Sequence, residues 1–350
     1  MPVTPETLQL VAAARQAVAD ITDNVTRTLA TAWVTAWDQL ALDLLLALDD
    51  LIATTTEGGG WPTRARIDRA ARLQQALDAV AKALDELTQT VRAQAAAAAH
   101  STASAGATTQ AGIIASQLPP AGSRAVVLSQ LTRWSERDLA AIVDRATQQI
   151  TALTKPLTAE ATAAMKRELV RGVAVGEHPH EAARRMLQRL EGEFNGGLVR
   201  AFNIARTEML DAHRQAARMA QAANADVLNG WVWMASLGRN SCAACWAMHG
   251  TEHPASEPGP QGHQQCRCSR TPLVKPWKDL GINVPEPPSV IPDAEQAFRA
   301  MSREDQLRVM GPGRLAAYER GDAAWADLAT RRDNPGWRPS YVPTPVGQLT

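Results

Sequence analysis

The residues with the clearest chemical meaning are four cysteines, Cys242, Cys245, Cys266 and Cys268, which are all the cysteines of the sequence. Two residues separate the first pair, one separates the second, and 20 residues lie between the pairs. Thiolates are good zinc ligands, and two closely spaced pairs can bring four sulfur atoms into a tetrahedron. The intervening loop is rich in Gly, Pro and His and has few apolar side chains to stabilise it. The spacing therefore predicts one structural zinc ion.

A histidine adds a fifth candidate ligand to this set. His263 precedes Cys266 by three residues and would replace a cysteine whose sulfur lies out of reach. Imidazole and thiolate occur together in many structural zinc sites. His249 and His253 lie in the same loop and are interpreted as loop residues without a metal role.

Other chemistries of the same cysteines stay open at this stage. The thiols could form two disulfides, although the absence of a signal-peptide pattern favours a reducing compartment. They could also stay free, or Cys242 and Cys245 could be a redox pair, although the flanks lack the strand-then-helix pattern of such motifs. A zinc deaminase would need His-x-Glu before Pro-Cys-x-x-Cys, and neither is present. Catalytic zinc is therefore not expected.

Strands are predicted on both sides of the cysteine loop. Trp231, Trp233 and Ala235 occupy alternate positions, which is the period of a half-buried strand. Residues 270–274 follow the last cysteine and are expected to form the return strand. We therefore predict a small β-hairpin whose tip is closed by the metal ion.

The rest of the chain is predicted to be mainly α-helical, because apolar residues recur at three- and four-residue spacing. Residues 4–54 form one long helix or two, and residues 64–100 form a helix that packs against them as an antiparallel hairpin. Glu57–Pro62 contains three consecutive glycines and separates the two. Residues 95–109 are small and are interpreted as frayed helix or linker.

Four helices are predicted in the middle of the chain: 124–153, Thr158–Val173, a segment that ends at Asn195–Gly197, and 198–224. In the last of these, apolar residues form a seam, and Arg206 and Glu208 lie on opposite edges of it. A half-buried charge needs a partner, so each is expected to pair with a neighbouring element. The alternative is an ordinary amphipathic helix with exposed flanks.

The composition changes again after the predicted return strand. Prolines make residues 276–292 a stiff connector, short helices are predicted at 293–310 and 314–332, and the tail 334–350 is expected to be extended. We therefore expect three regions. They are an N-terminal helical docking region (1–122), a middle domain with the cysteine loop (123–275), and the connector with its short helices and tail (276–350).

Composition also limits the classes of function. The 36 basic and 36 acidic residues balance, which gives no general attraction to nucleic acid or membranes. No stretch approaches the roughly 18 apolar residues of a membrane span. No Gly-x-Ser-x-Gly motif marks a nucleophile, so no catalytic residue is predicted, although a triad of residues distant in sequence stays open. No small-molecule substrate is expected.

Several motifs, in order along the chain, resemble those of the phage Mu F-like minor head protein family. They are Ile204-Ala-Arg206-Thr207-Glu208, a strand with Trp233, the first Cys-x-x-Cys pair, and His263-x-x-Cys-Arg-Cys. The resemblance covers about residues 155–275. It departs from the family where Gly238, Asn240 and Ser241 replace the Asp, Arg and Thr of Asp-x-Arg-Thr-Cys.

The resemblance implies a minor capsid protein that acts in head morphogenesis of a tailed phage. It implies portal and capsid proteins as partners, contact with packaged DNA, no membrane, and no enzymatic activity. The implied location is the interior of the virion head, and the host cytoplasm during assembly. Two alternatives stay open. One is a capsid maturation protease or protease-fused head protein, and the other is a nucleic-acid-binding zinc-knuckle module that uses the net-positive helical residues 123–220 together with Arg267 and Arg270.

The first predicted helix carries more apolar surface than one partner helix covers. Its large apolar residues surround most of the helix: Trp33, Trp37, Leu40, Leu44, Leu45, Leu46 and Leu48. A helix that is apolar on most sides must be buried on most sides. The surface left over is expected to meet either the middle helices or another protein, for which the resemblance indicates portal or capsid subunits.

Overall fold

A computed structural model describes residues 2–53, 69–119, 131, 135–154, 179–335 and 338–349. Within these ranges the protein is mainly α-helical, with seven α-helices and two small antiparallel sheets. The mainly α fold class is therefore confirmed. None of the helices in these ranges is long and apolar enough to cross a membrane.

Four long helices come first: α1 (Pro5–Ala53), α2 (Ala71–Ala115), α3 (Glu136–Thr154) and α4 (Pro179–Ala222). Helix α1 is continuous, so the segment predicted as one helix or two is one. The predicted break at Glu57–Pro62 and the predicted helix Thr158–Val173 lie outside the described residues.

Helix α2 continues through the small residues 95–109, for which the sequence left two interpretations, frayed helix and linker. Its alanines pack with residues of α3 and α4 in one buried cluster: Ala99, Ala103, Ala107, Leu139, Ala146, Ala212 and Ala216. Alanine has the highest helix propensity, and short side chains let two helix backbones approach closely. These residues are helical and small because α2 packs closely against α3 and α4 here, and a close contact between helices requires small side chains.

Helix α4 is unbroken at Asn195–Gly197, where the sequence analysis placed a helix end, so that prediction is wrong. A glycine costs a helix only about 1 kcal/mol relative to alanine, and the helical residues on both sides outweigh this cost. A Cβ added at Gly197 would lie 3.4 Å from the ring of Trp33, so the glycine lies close to α1.

The chain divides into two compact units. The first contains Met1–Thr22, Ala98–Ala146 and Met209–Thr350, and the second contains Asp23–Ala97 and Thr147–Glu208. The core of the second unit joins α1 to α2 through large apolar side chains: Trp33, Leu40, Leu44, Leu73, Val80, Leu84 and Leu87. The predicted packing of the first two helices is therefore present.

A three-stranded antiparallel sheet follows α4 in the first unit. It consists of β1 (Leu228–Met234), β2 (Glu252–Pro254) and β3 (Ser269–Val274), in the order β2-β1-β3. Trp231 of β1 is paired with Pro272 on one side and with His253 on the other. The predicted pairing of the two strands that flank the cysteine loop is confirmed. The loop itself adds a third strand and a short helix, α5 (Ala243–Met248).

The C-terminal helices differ from the prediction in their ends. They are α6 (Ala294–Arg299) and α7 (Arg303–Arg320). The helix predicted over 293–310 is therefore interrupted before Arg303, at Ser302, whose hydroxyl caps α7 by accepting a hydrogen bond from the Asp305 amide. Gly311, at φ 72°, kinks α7 where the sequence indicated a helix end. The hydroxyl cap satisfies an amide that has no partner inside the helix, which is why the break lies at a serine.

The last predicted helix is also shorter than expected, because α7 ends at Arg320, where Gly321 caps it at φ 82°. Residues 329–332 are a strand. This strand, β4 (Ala329–Arg332), pairs with β5 (Ser340–Pro343) from the predicted tail. The tail is extended as predicted, and the strand pairing satisfies its backbone hydrogen bonds. Trp337, in the same tail, lies outside the described residues.

Aromatic contacts hold α5 against the C-terminal helices. The ring centroid of Phe298 lies 5.8 Å from that of Trp246 in α5, 6.3 Å from that of Tyr318 and 5.4 Å from that of Trp325. Edge-to-face pairs of this kind add to the free energy of burial. The short helix that contains Cys245, with Cys242 at its N-cap, is thus anchored by a large buried side chain.

We expect Gly106→Ala to lower the midpoint of thermal unfolding. The new Cβ would overlap the carbonyl oxygen of His213 and lie 2.9 Å from its Nδ1, and such overpacking costs about 1–3 kcal/mol. Gly112→Ala in the same helix is the control, because its Cβ would meet only Leu10, at 4.0 Å. Equal stability of the two variants would contradict the close approach of α2 and α4.

Candidate metal centre

The cysteines lie at the two ends of the loop between β1 and β3. Cys242 precedes the first residue of α5 and Cys245 lies inside α5, while Cys266 and Cys268 directly precede β3. Three of them are buried and Cys242 is half-buried. The sheet and the anchored helix thus bring two chain segments together that are distant in sequence.

The sulfur and nitrogen atoms lie at short, regular separations. The Sγ atoms of Cys242 and Cys245 are 3.6 Å apart, and those of Cys245 and Cys266 are 3.7 Å apart. The Nε2 atom of His263 lies 3.1 Å from the Sγ of Cys242 and 3.5 Å from that of Cys245. All four cysteines are free thiols, with these Sγ atoms far beyond the length of a disulfide bond.

These separations fit a tetrahedral metal. With zinc–sulfur bonds of about 2.3 Å and zinc–nitrogen bonds of about 2.0 Å, a tetrahedron has sulfur–sulfur edges of about 3.8 Å and sulfur–nitrogen edges of about 3.5 Å. Three of the four distances above agree with these edges, and the Cys242–His263 distance is shorter. The cluster could therefore hold a metal ion.

The donors form two overlapping groups. One contains Cys242, Cys245 and His263, and the other contains Cys245, Cys266 and Cys268. Within each group the donor atoms lie within 4.8 Å of one another. Cys245 belongs to both groups, so an ion with four ligands would take Cys245 and three of the other four donors. His263, expected only as a reserve ligand, contacts two sulfur atoms.

The electrostatics of the cluster divide the cysteines into two kinds. The pKa of Cys242 and that of Cys266 are lowered, which favours their thiolates, whereas the pKa of Cys245 and that of Cys268 are raised, which favours their thiols. The hydrogen bond with Cys245, helped by His263, lowers the pKa of Cys242 to about 5, against the opposing effect of burial. Burial lowers the pKa of His263, but the hydrogen bond with Cys242 and the charges of Cys266 and Cys242 outweigh it and raise that pKa to about 9. A metal ion would therefore meet a Cys242 thiolate that is already formed, but its binding would have to release the protons of His263 and Cys245.

The orientation of His263 is set by its own backbone neighbour. Its Nδ1 lies 2.7 Å from the carbonyl oxygen of Gln264, which makes Nδ1 the donor and turns Nε2 towards the sulfur atoms. This arrangement is typical of metal-binding histidines, whose second nitrogen is held by a carbonyl or carboxylate. Gly262 makes the close approach possible, because a Cβ there would overlap Cys266.

Arg214 is the functional residue that sequence reasoning missed. Its Nε donates to the carbonyl of Cys268 at 3.1 Å, and its Nη2 donates to the carbonyl of Cys266. On the helical wheel Arg214 lies nearly opposite the predicted apolar seam of α4, so periodicity places it in solvent. It is only 3% exposed, because α4 is buried on both faces at this point. No local signal could have found it.

The motif residues of α4 have structural contacts of their own. Arg206 forms an ion pair with Asp23 of α1, and Thr207 donates to the carbonyl of Asn203 at 2.5 Å. Glu208 is buried. None of the three belongs to the two metal-capable groups found in the described residues. Trp233, the other motif residue, is buried beside the cysteines and contacts Tyr341 edge-on, with ring centroids 5.7 Å apart.

Arg270 is not available as a nucleic-acid contact. It is 3% exposed, its guanidinium lies 4.5 Å above the ring of Trp231, and it donates to the carbonyls of Glu257 and Ala255 at 2.7 and 2.8 Å. Burial lowers the pKa of Arg270 to about 9. The expectation that Arg270 could face nucleic acid is therefore wrong, because the side chain is buried and its Nε, Nη1 and Nη2 all donate to groups of the chain, the Nε to Gln221.

A second polar constellation lies on β2. The Oγ1 of Thr251 lies 2.9 Å from Nε2 of His253, whose Nδ1 lies 3.0 Å from Oε1 of Glu257. The same Thr251 hydroxyl donates to the carbonyl of Met248 at 2.8 Å. The ring of His253 stacks on Trp231, with centroids 4.2 Å apart. His253, interpreted from sequence as a loop residue, thus fixes this strand against β1.

Comparison with protein families finds a match to the segment that contains this site. Residues 163–271 match the family described as phage Mu protein F like protein. The resemblance to the phage Mu F-like family is confirmed. The matched segment contains all five candidate ligands, the Arg206–Glu208 motif of α4, and Arg214. Neither the curated proteins nor the solved structures include a match to the chain.

We expect Arg214→Ala to destabilise the Mu F-like segment. The change leaves two buried carbonyls without a charged donor, and hydrogen bonds to charged groups contribute about 1.5–3 kcal/mol each. Arg218→Ala, one turn further along α4, is the matched control, because Arg218 is half-buried and donates no hydrogen bond to the cysteine carbonyls. Thermal unfolding of both variants, with and without a chelator, measures the difference; equal losses would argue against an anchoring role.

We expect acid to destabilise the protein through His213. Burial lowers the pKa of His213 from 6.5 to about 4, so between these values the unfolded chain binds the proton and the folded chain does not. Stability therefore falls as the pH drops from 6.5 towards 4, by on the order of 3 kcal/mol for this residue. His213→Gln should flatten that slope in denaturant titrations at several pH values. The exposed His100→Gln should leave it unchanged, and a wild-type slope in His213→Gln would refute the assignment.

Proposed function

We propose that this chain is a structural minor head protein of a tailed phage, stabilised by zinc and without enzymatic activity. The family match supports a role in phage head morphogenesis. The observation that carries the zinc part is the set of donor separations around Cys245, which correspond to the edges of a tetrahedron. The proposed location is the interior of the phage head, after assembly in the host cytoplasm.

Zinc is the metal that suits these donors best. Thiolate and imidazole ligands favour zinc over magnesium and calcium, which take oxygen ligands. We propose Cys242, Cys245, Cys266 and His263 as the four ligands, with Cys268 as a neighbour. Four protein ligands leave no open position, which is the arrangement of a structural site rather than a catalytic one.

The bound metal would supply a crosslink between α5 and the segment before β3. This chain's residues prepare it: the Gln264 carbonyl orients His263, and Arg214 fixes the backbone at Cys266 and Cys268. The loop has few apolar side chains, so such a link would supply the stability that a larger hydrophobic core would otherwise provide.

Elemental analysis of single variants tests the ligand set. The wild-type protein should carry one zinc ion per chain, and Cys245→Ser should carry none, because Cys245 belongs to both donor groups. His263→Ala should lose most of its zinc, whereas Cys268→Ser should keep it. The reverse result for these two would assign the site to the four cysteines. A wild-type protein without stoichiometric zinc, with all thiols alkylated under native conditions, would refute the zinc centre.

The proposed partners are portal and capsid proteins, and the proposed contact surface is on α1. Trp33, Leu40 and Leu44 are buried against α2, so part of the apolar surface of α1 is used within the chain. The side chains of Val34, Leu42 and Leu46 stay 54%, 59% and 46% exposed. Steps of eight and four residues place these three on one face of the helix. An exposed apolar face of this kind is typical of a protein–protein contact.

Co-sedimentation with portal oligomers tests this surface. Replacing both Leu42 and Leu46 by Glu should weaken binding to the portal at least tenfold, because desolvated apolar contacts dominate such interfaces. The unfolding midpoint should stay close to that of the wild type, since both side chains are exposed. Gln39→Glu, also exposed on α1, is the charge control. Unchanged recruitment of the double variant would place the docking surface elsewhere.

The second candidate function is a hydrolase, and the constellation of Thr251, His253 and Glu257 is the observation in its favour. A hydroxyl, an imidazole and a carboxylate in this order resemble a catalytic triad in geometry. Against it, the Thr251 hydroxyl already donates to the Met248 carbonyl, so its proton does not point at the imidazole. We therefore favour the structural function. Cleavage of capsid subunits by the wild-type protein, lost in Thr251→Ala and His253→Ala, would reverse that choice.

A further inference from the structure

A small pocket lies between α1, α4 and the start of β3, all within the first compact unit. Its polar lining consists of Arg15, His213, Arg214, Arg267, Cys268 and Ser269, and the rest is apolar. About 300 Å³ of empty space lies among these residues, part of which is open solvent. It is adjacent to the candidate metal centre through Cys268, but its other lining residues are not candidate ligands.

The charge of this pocket is strongly positive. Within the described part of the chain, three guanidinium groups line it and no carboxylate does. The thiolates of the metal centre offset part of this charge. Zinc with three thiolates and one imidazole has a net charge of −1, and zinc with four thiolates has −2. Three guanidinium groups exceed either value, so positive charge is left over.

Two hydrogen-bonding groups in the pocket have no partner. In the described residues neither the Nη1 of Arg15 nor the Oγ of Ser269 meets a hydrogen-bonding atom, and both atoms are buried. Ser269 is only 7% exposed. Buried donors are paired in nearly all native proteins, so two unpaired donors in one cavity indicate a missing acceptor. Arg214 differs, because its hydrogen bonds to the cysteine carbonyls are already made.

Compensation of thiolate charge does not explain this arrangement. A counter-charge would account for Arg15, which lies near enough to Cys268 for its charge to be felt. It does not account for Ser269, whose hydroxyl is neutral and also unpaired. A ligand with several acceptor oxygens explains both groups, because each oxygen can accept from one of them.

We propose that this pocket binds a single phosphate-type oxyanion. Arg15 and Ser269 donate to its oxygens, and Arg267, which is exposed, attracts it at the mouth. Because part of the space among the lining residues is open solvent, the proposed ligand is a single small anion rather than a nucleotide. The anion could be free in solution or could be the terminal phosphate of a nucleic acid. The inference goes beyond the proposed head-protein function and does not depend on which residues bind zinc.

The test uses the full-length, metal-loaded protein with inorganic phosphate as the probe. Isothermal titration calorimetry should show one site, and phosphate should raise the unfolding midpoint more than chloride does at equal ionic strength. Ser269→Ala should bind phosphate at least tenfold more weakly. Without phosphate it should be as stable as the wild type, because it removes only an unpaired buried hydroxyl. Arg15→Gln should also lose binding, and the exposed Arg308→Gln is the charge control.

The result that overturns the proposal is equally definite. Equal effects of phosphate and chloride, or unchanged phosphate affinity in both Ser269→Ala and Arg15→Gln, would leave only general charge screening. The zinc content of the same sample is measured as well. Stoichiometric zinc without phosphate binding would show that the phosphate proposal fails while the metal centre stands. Competition by a 5′-phosphorylated oligonucleotide, but not by its unphosphorylated form, would identify a nucleic-acid end as the source. No competition by either, with phosphate bound, would identify the free ion.

Discussion

The contact between Arg214 and the carbonyl oxygens of Cys266 and Cys268 is the interaction on which the rest of the site depends. A guanidinium group buried at 3% exposure is costly unless its donors are used, and here two of them meet backbone carbonyls. The contact fixes the segment before β3 to α4. Because that segment carries two of the candidate ligands, its position decides whether the sulfur atoms meet those of α5.

Contacts with other elements also position α5 and the cysteine loop. Trp246 anchors α5 in the aromatic cluster of the C-terminal helices, and the Tyr341 amide donates to the Gln261 carbonyl at 2.8 Å, which holds the loop beside His263. The Ala-rich contact between α2 and α4 lets the helices approach closely enough to bury His213. The cysteine loop has little apolar core of its own and is held by its neighbours.

The sequence by itself determined the features that depend on neighbours along the chain. The period of apolar residues gave the long helices and the contact of α1 with α2, and alternation around Trp231 and Trp233 gave the strand β1. The spacing of four cysteines and one histidine indicated a metal-capable cluster, since ligand type and spacing are local properties. Motif order was enough to indicate the resemblance to the Mu F-like family, which the match over residues 163–271 confirms, because it combines many residues at once.

Only the tertiary structure decided which side chains are buried by distant elements. Arg214 and Arg270 both lie where sequence periodicity or composition suggests solvent, yet helices and strands far away in sequence cover them. The Asn195–Gly197 segment stays helical and the alanine run of α2 is a packed contact, because contacts across the fold outweigh local propensity. The sequence indicated His263 only as a reserve ligand, whereas the fold brings its Nε2 close to the sulfur atoms of Cys242 and Cys245. Distances between atoms that are far apart in sequence depend on the packing of the whole unit.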